Sequence, residues 1–470
     1  MRANRPGVHI RVKKQDNPRY SAAILAAGSG TRMKSSTPKS LHRVCGIEML
    51  LHVIDAVRGI GIGHIAVVVP PDSRPFRSAL GDSVLYATQA EPLGTGHALL
   101  QARSVLDDAD NILVLYGDTP LITSETLDRL AQRHSKSDAH VSIITSQSAE
   151  PQGMGRVVRN EDGEITAIIE ERDADADTLA ISEVNSGFYC FRAPWVWQNL
   201  ERLAPASNGE LLLTDLIQAA TLHGLKVSSI TSDNPEEAMG VNNRIQLAQA
   251  EAAMRRRILE HWMLNGVTIP DVSSVYIDRA VALGQDTAIL PNTHILGQTT
   301  VGAGCTIGPN AIIDNSAIGD ECEVISSVIR DSTLHSSVDV GPFSHIRGGS
   351  YIESYVHIGT SAEVKNSRLG RGTKMGHFSY MGDATLGADV NVGAGAITCN
   401  FDGVSKNETV IGKDAFIGSD TMLVAPVVIG EGAATGAGAV VTKDVPAGST
   451  VVGVPARNKA APGAKRTRNT

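Results

Sequence analysis

At 470 residues the chain exceeds the size at which a single core stops growing, so two domains are expected. Its net charge of −8 argues against a broad basic face for nucleic acid, while leaving small acidic substrates open to local Arg and Lys. No run of about 18 apolar residues is present to span a bilayer, residues 1–20 lack the apolar segment of a secretion signal, and five cysteines without a C-x-x-C pair read as free thiols, which together point to the cytoplasm.

Residues 1–20 carry Arg2, Arg5, Arg11, Lys13, Lys14 and Arg19 with no apolar periodicity and read as a solvated tail. From Ser21 the pattern alternates: a strand over 22–25, a helix near 49–58, a strand over 65–69, a helix near 96–105 and a strand over 112–115. This alternation predicts a Rossmann-like α/β domain over 21–240 with a mostly parallel sheet, ligands lying beyond the carboxyl ends of the strands.

The first of those ends is the most informative stretch. Leu25-Ala26-Ala27-Gly28-Ser29-Gly30-Thr31-Arg32-Met33 runs from strand to loop, and Pro38-Lys39 follows. Glycines there let backbone N–H groups approach an anion, and Arg32 and Lys39 add a planar fork and a point charge for phosphate oxygens. The pattern is neither a P-loop, which needs G-K-[ST], nor a dinucleotide fingerprint, because Met33 stands where the third glycine belongs. It resembles the signature of sugar-1-phosphate nucleotidyltransferases.

Further motifs fall at later strand ends. Gln89 with Leu93-Gly94-Thr95-Gly96-His97 offers an amide and a tight loop for a base edge and its ribose. Tyr116-Gly117-Asp118 follows the strand at 112–115 and brings a carboxylate toward the phosphates, where a hard cation such as Mg²⁺ would take it as a ligand. Gly155, Glu170 and Asn185 resemble the sugar-binding positions of the same family. By the same resemblance, one asparagine of Asn242-Asn243 is the second Mg²⁺ ligand, assigned to Asn242, and the pair also suits a helix N-cap.

Residues 244–265 lack Gly and Pro and predict a helix of roughly 30 Å, ended by Gly266, within a linker at 241–266. Beyond it, aliphatic residues recur every six positions, usually followed by Gly, as at Val301-Gly302, Ile307-Gly308, Val392-Gly393 and Ile417-Gly418. Short strands and tight turns stacked into a coil satisfy that period. The repeat resembles the left-handed parallel β-helix of hexapeptide acyltransferases over 267–457, prisms that usually trimerise. The basic stretch 458–470 reads as a disordered tail.

Interruptions of the repeat carry the chemistry. Arg347 and Lys365 suit a sugar phosphate, and Glu363, His377 and Tyr380 break the aliphatic phase. His377 is the candidate general base, since an imidazole titrates near neutral pH. With residues 21–42 and 116–118, these motifs make positions 21–457 resemble the bacterial bifunctional N-acetylglucosamine-1-phosphate uridylyltransferase and glucosamine-1-phosphate acetyltransferase family. The resemblance implies that Tyr380 and Asn391 join Arg347, Glu363 and Lys365 around the amino sugar phosphate. It also implies that Ala394, Asn400, Phe401, Ser419 and Ala437 line the acetyl-CoA site. Leu25, Ala26, Ala27, Gly28, Lys39, Gln89, Gly94, Thr95, Tyr116, Asp118, Gly155, Glu170, Asn185 and Asn242 would then surround UTP and N-acetylglucosamine 1-phosphate, with Arg32 and Lys39 catalytic.

The chain departs from that pattern at Gly348, where Pro is usual, at Thr360-Ser361 for Asn-Phe, and at Phe401, where Tyr is frequent. Gly453 stands where some members carry an arginine for coenzyme A, which makes Arg457 the substitute candidate. Two rival readings remain. One is a single-activity nucleotidyltransferase with a structural or regulatory β-helix; the other is a non-catalytic assembly protein of the same folds. A homotrimer with small-molecule substrates, no nucleic acid and no membrane partner is the expected assembly.

Overall fold

The computed structural model describes residues 18–149, 151–206 and 209–458. Most of both basic tails, 1–17 and 459–470, lies outside these residues. The chain divides into two compact units, Met1–Ala253 and Met254–Thr470.

The first unit is built on a nine-stranded sheet. Its strands are β1 (Tyr20–Leu25), β2 (Ile65–Val69), β3 (Leu85–Thr88), β4 (Asn111–Tyr116), β5 (Val141–Gln147), β6 (Arg156–Arg159), β7 (Ile165–Ile169), β8 (Glu183–Arg192) and β9 (Val227–Thr231). The order is β9-β5-β8-β4-β1-β2-β3, with the β6–β7 hairpin attached through β8. β1 pairs in parallel with both β2 and β4, and β8 is antiparallel to β4 and β5. The central strands are apolar on both faces, as Ala22 to Ile24 and Ile112 to Val114 at 0% exposure show, because helices cover each side.

Two expectations are corrected here. The tail stops short of residue 20: Tyr20 opens β1, and Arg19 donates its backbone N–H to Asp110 at 2.8 Å. The single helix expected near 96–105 is two, Thr95–Gln101 and Arg103–Leu106. Bonding tightens between them, with the Ala102 N–H reaching the Leu99 carbonyl at 2.9 Å and Val105 the Ala102 carbonyl at 3.2 Å, so the α-helical register breaks.

Beneath the sheet, His134 of the helix Ser124–Ser137 is buried between Ser142 Oγ, 2.8 Å from Nδ1, and Asn111 Oδ1, 3.2 Å from Nε2. Burial, reinforced by Arg192, lowers its pKa to about 4. A neutral ring in the fold against an ordinary one in the unfolded chain contributes stability that is complete above about pH 6.5. That contribution drains away as the pH falls toward 4, a loss of about 3 kcal/mol. Urea unfolding of His134→Gln across this window is expected to show a shallower acid limb than the parent.

The helix Arg244–Leu264 begins with Asn243, whose Oδ1 accepts the Gln246 N–H at 2.9 Å, so this asparagine is the cap. It ends at Gly266, with φ +90°, where the Gly266 N–H meets the Met263 carbonyl and the Val267 N–H the Trp262 carbonyl.

In the second unit three parallel ladders of ten, nine and eleven strands, the last strand of the third antiparallel, form the faces of a left-handed β-helix. Each short strand directs one aliphatic inward. Ile289, Ile307, Val324, Val340, Ile358, Met375, Val392 and Ile417 stack along one face, all at or below 3% exposure. That column explains the six-residue period, since every inward position must fill the same narrow prism. The final strand, Arg457–Asn458, folds back antiparallel on Thr450–Val452.

Candidate active sites

The carboxyl ends of β1 and β4 open into a cavity of about 1230 Å³ in the first unit. Arg32 and all fourteen residues expected around the nucleotide and its sugar line it, from Leu25 through Asn242. Gly30 sits at φ +59°, where a Cβ would come within 2.8 Å of Lys39 Cβ, so its bareness lets the Pro38-Lys39 segment fold back beside the loop. At Gly28 a Cβ would meet nothing within 4 Å, and the loop leaves open space on that side.

Polar groups converge at this end. The Lys39 ammonium pairs with the Asp118 carboxylate and donates to Asn242 Oδ1 at 3.0 Å, while Arg32 Nη2 donates to the same oxygen at 2.9 Å. Asp118 Oδ2 and Asn242 Oδ1 therefore face one point. Two hard oxygen donors so placed fit Mg²⁺, which takes few protein ligands and completes its shell with phosphate and water.

Across the cavity, Gln89 is nearly buried, its amide nitrogen 3.1 Å from the Gly94 carbonyl and 3.2 Å from His97 Nδ1. Gly94, at φ +99°, lies so close to the Leu211 backbone that a Cβ would stand 2.5 Å from its carbonyl oxygen. Gly94→Ala is expected to push this loop and Gln89 outward. A roughly 10- to 100-fold loss of kcat/KM for UTP should follow, carried mainly by KM, in steady-state pyrophosphate-release assays.

Elsewhere in the cavity lining, Asn185 is fixed through Nδ2 to Tyr189 Oη at 2.7 Å and through Oδ1 to the Gly187 N–H at 3.1 Å. A register shift in β8 between Asn185 and Tyr189 turns this segment toward the cavity. Burial raises the Glu170 pKa, against the opposing hydrogen bond from Thr214 at 3.2 Å, and leaves a strongly accepting carboxylate for hydroxyl groups. The loop carrying Gly155 is held by Arg156 and Glu171, to which the sequence reading assigned no role. Arg156, 3% exposed, donates to the Pro151 carbonyl at 2.8 Å and to that of Met154, and Glu171 accepts the Gly153 N–H.

In the β-helix the candidate residues fall on an edge and the two faces beside it. His377 occupies the turn between Lys374–Met375 and Tyr380–Gly382. The same edge continues upward through hydrogen bonds from Gly395 N to the Phe378 carbonyl, Asp420 N to Ala394 and Gly438 N to Ser419, at 2.6, 2.7 and 2.8 Å. Ala394, Ser419 and Ala437 thus follow His377 along one edge. Arg347 and Glu363 are ion-paired at 2.8 Å, and Lys365 stacks in register on Arg347 on the same face. Tyr380 follows Glu363 there, its hydroxyl occupying the space that a Gly382 side chain would fill. Asn391 lies on the neighbouring ladder, paired with Lys374 and Phe416.

Asn400 turns inward, nearly buried, and donates to Asp383, whereas Phe401 is 61% exposed and Arg457 lies exposed near the end of the coil. Lys406 escaped the sequence reading. The ammonium of Lys365 lowers its pKa, so two cations share one place, and Asp383 and Tyr380 lie beside them. Burial works against the Asp383 carboxylate, but the amides of Asn366 and Asn400 and the two lysines hold its pKa below the usual range.

A phosphate-type cavity at strand ends, followed by a hexapeptide prism with a polar edge, defines a two-domain transferase. Residues 22–220 match the MobA-like NTP transferase domain family, and residues 281–315 and 408–443 match the bacterial transferase hexapeptide repeats. The chain is 44% identical to the bifunctional protein GlmU of Heliobacterium modesticaldum over 92% of its own length and 95% of the relative's. The corresponding figures are 45%, 90% and 94% for GlmU of Halalkalibacterium halodurans, and 42%, 92% and 95% for that of Clostridioides difficile. The chain belongs to the bifunctional GlmU family.

Proposed function

We propose that this one chain makes UDP-N-acetylglucosamine in two transfers. In the β-helix, His377 takes a proton from the ammonium of glucosamine 1-phosphate. The freed nitrogen attacks the acetyl-CoA carbonyl carbon, the C–S bond breaks, and the coenzyme A thiolate leaves and is protonated. Arg347 and Lys365, with Lys406 beside them, hold the sugar phosphate. Glu363, Tyr380 and Asn391 orient the sugar, and Ala394, Asn400, Phe401, Ser419, Ala437 and Arg457 flank the coenzyme.

In the first unit a phosphate oxygen of N-acetylglucosamine 1-phosphate attacks the α-phosphorus of UTP, and the bond to pyrophosphate breaks. Arg32 and Lys39 bind the departing phosphates, Gln89 and the Gly94-Thr95 turn read the base and ribose, and Gly155, Glu170 and Asn185 hold the sugar. Asp118 and Asn242 would hold Mg²⁺, which when bound neutralises charge developing on the phosphates. The supporting observation is that one chain pairs the fully lined phosphate cavity with the edge from His377 to Ala437.

Aromatic exposure on the prism, 70% at Phe343 and 60% at Phe378, supports a homotrimer in which neighbouring prisms cover these rings. Among the described residues no helix is long and apolar enough to cross a membrane; a cytoplasmic location is proposed because Cys190, Cys305, Cys322 and Cys399 stand outside any disulfide.

The test supplies purified full-length protein with glucosamine 1-phosphate, acetyl-CoA, UTP and Mg²⁺. Free thiol and pyrophosphate should appear in equal amounts, with pyrophosphate following thiol after a lag. Pyrophosphate from N-acetylglucosamine 1-phosphate without any thiol from glucosamine 1-phosphate would reduce the β-helix to a scaffold.

A further inference from the structure

The cluster of Lys39, Asp118, Asn242 and Arg32 contains a conflict. Asp118 Oδ2 and Asn242 Oδ1 are the oxygens read above as cation ligands, and this inference rests on that reading. Both are engaged by the same Lys39 ammonium, and Arg32 adds a second hydrogen bond to Asn242 Oδ1. Lys39 and Asp118 are only 19% and 16% exposed, so solvent does little to screen the pair. An ammonium and a divalent cation on these oxygens at once would put like charges within about 4 Å of one another, a strongly repulsive arrangement at partly buried sites.

We propose that Lys39 is a resident counter-ion, lodged at the cation ligands until a nucleoside triphosphate draws it away, so that divalent metal enters together with the nucleotide and not before it. The geometry allows the exchange. Gly30 packs against the base of the Lys39 side chain and fixes that end, while the four-carbon stem lets the ammonium swing. Gly28 leaves open space for phosphate beside it. A triphosphate carries more negative charge than Asp118 alone and attracts both Lys39 and Arg32. Their departure frees the two oxygens when the metal arrives on the phosphates. Metal and nucleotide then favour each other reciprocally, beyond the coupling that direct phosphate ligation supplies.

The experiment measures Mn²⁺ binding to full-length protein without nucleotide, from the paramagnetic resonance signal of the free ion. Lys39→Met is expected to bind Mn²⁺ about tenfold more tightly than wild type, and Lys39→Arg to remain as weak as wild type. Adding Asp118→Asn to Lys39→Met should abolish the gain. Lys39→Gln, which keeps a hydrogen-bond donor but no charge, carries the same expectation and stands in if the methionine variant does not fold. Unchanged or weaker Mn²⁺ binding in both neutral variants would overturn the proposal. If Asp118→Asn still weakened Mn²⁺ binding to the UTP complex in that case, the ligand assignment would survive alone. If Asp118→Asn altered binding in no state, the ligand assignment would fall and the counter-ion role with it.

Discussion

Acetyl transfer by His377→Ala is expected to fall by about 10²- to 10⁴-fold in kcat, the usual contribution of a positioned general base. Uridylyl transfer by the same protein should stay within about twofold of wild type, because the substitution lies in the other compact unit, which also makes it an internal check on folding. The defect should narrow as the pH is raised, since solution then supplies the free amine that His377 otherwise generates. A purely structural loss would be the same at every pH. Thiol-release rates from pH 6 to about 9.5, compared between wild type and variant, separate the two. A loss below about tenfold at neutral pH would remove His377 from the chemistry and leave it as one more turn residue of the coil.

Legibility in the sequence tracked how local each feature is. Arg32, Lys39 and the glycines of the first loop stand within a few residues of one strand end, so the motif and its geometry coincide. The β-helix was legible because one steric demand, an aliphatic filling a narrow prism, repeats at every coil. Asn243 was legible as a cap because its side chain acts on the helix that immediately follows. Arg156 was not: its task is to bind carbonyls of a loop whose shape the sequence does not display. Nor was Lys406, which reaches Lys365 only because the irregular segment after Phe401 turns back. Asp402 stiffens that turn, accepting the Val404 and Ser405 N–H groups at 2.8 Å each. The split at Ala102 was hidden because propensity favours a continuous helix there and the break comes from backbone geometry alone.

Asp118→Asn is expected to lower uridylyl transfer by about 10²- to 10³-fold, the scale seen when one preorganised electrostatic partner of a transition state is removed. Acetyl transfer should be unchanged. The substitution keeps the size of the side chain but leaves the Lys39 ammonium with neutral oxygens only, at Asn242 and the new amide. Because that ammonium retains acceptors, the cost in stability should be modest, about 1–2 kcal/mol, far too small to explain the rate by unfolding of the unit. The distinction between lost affinity and lost chemistry lies in the metal dependence. If Asp118 serves chiefly to bind the cation, saturating Mg²⁺ restores much of kcat and the defect moves into the metal's apparent affinity. If its charge also stabilises the transition state through the bound cation, kcat stays depressed at any Mg²⁺ concentration. A wild-type rate in Asp118→Asn at limiting Mg²⁺ would exclude both roles and move the cation to other oxygens of the cavity, with the Glu170 carboxylate the next to be tested.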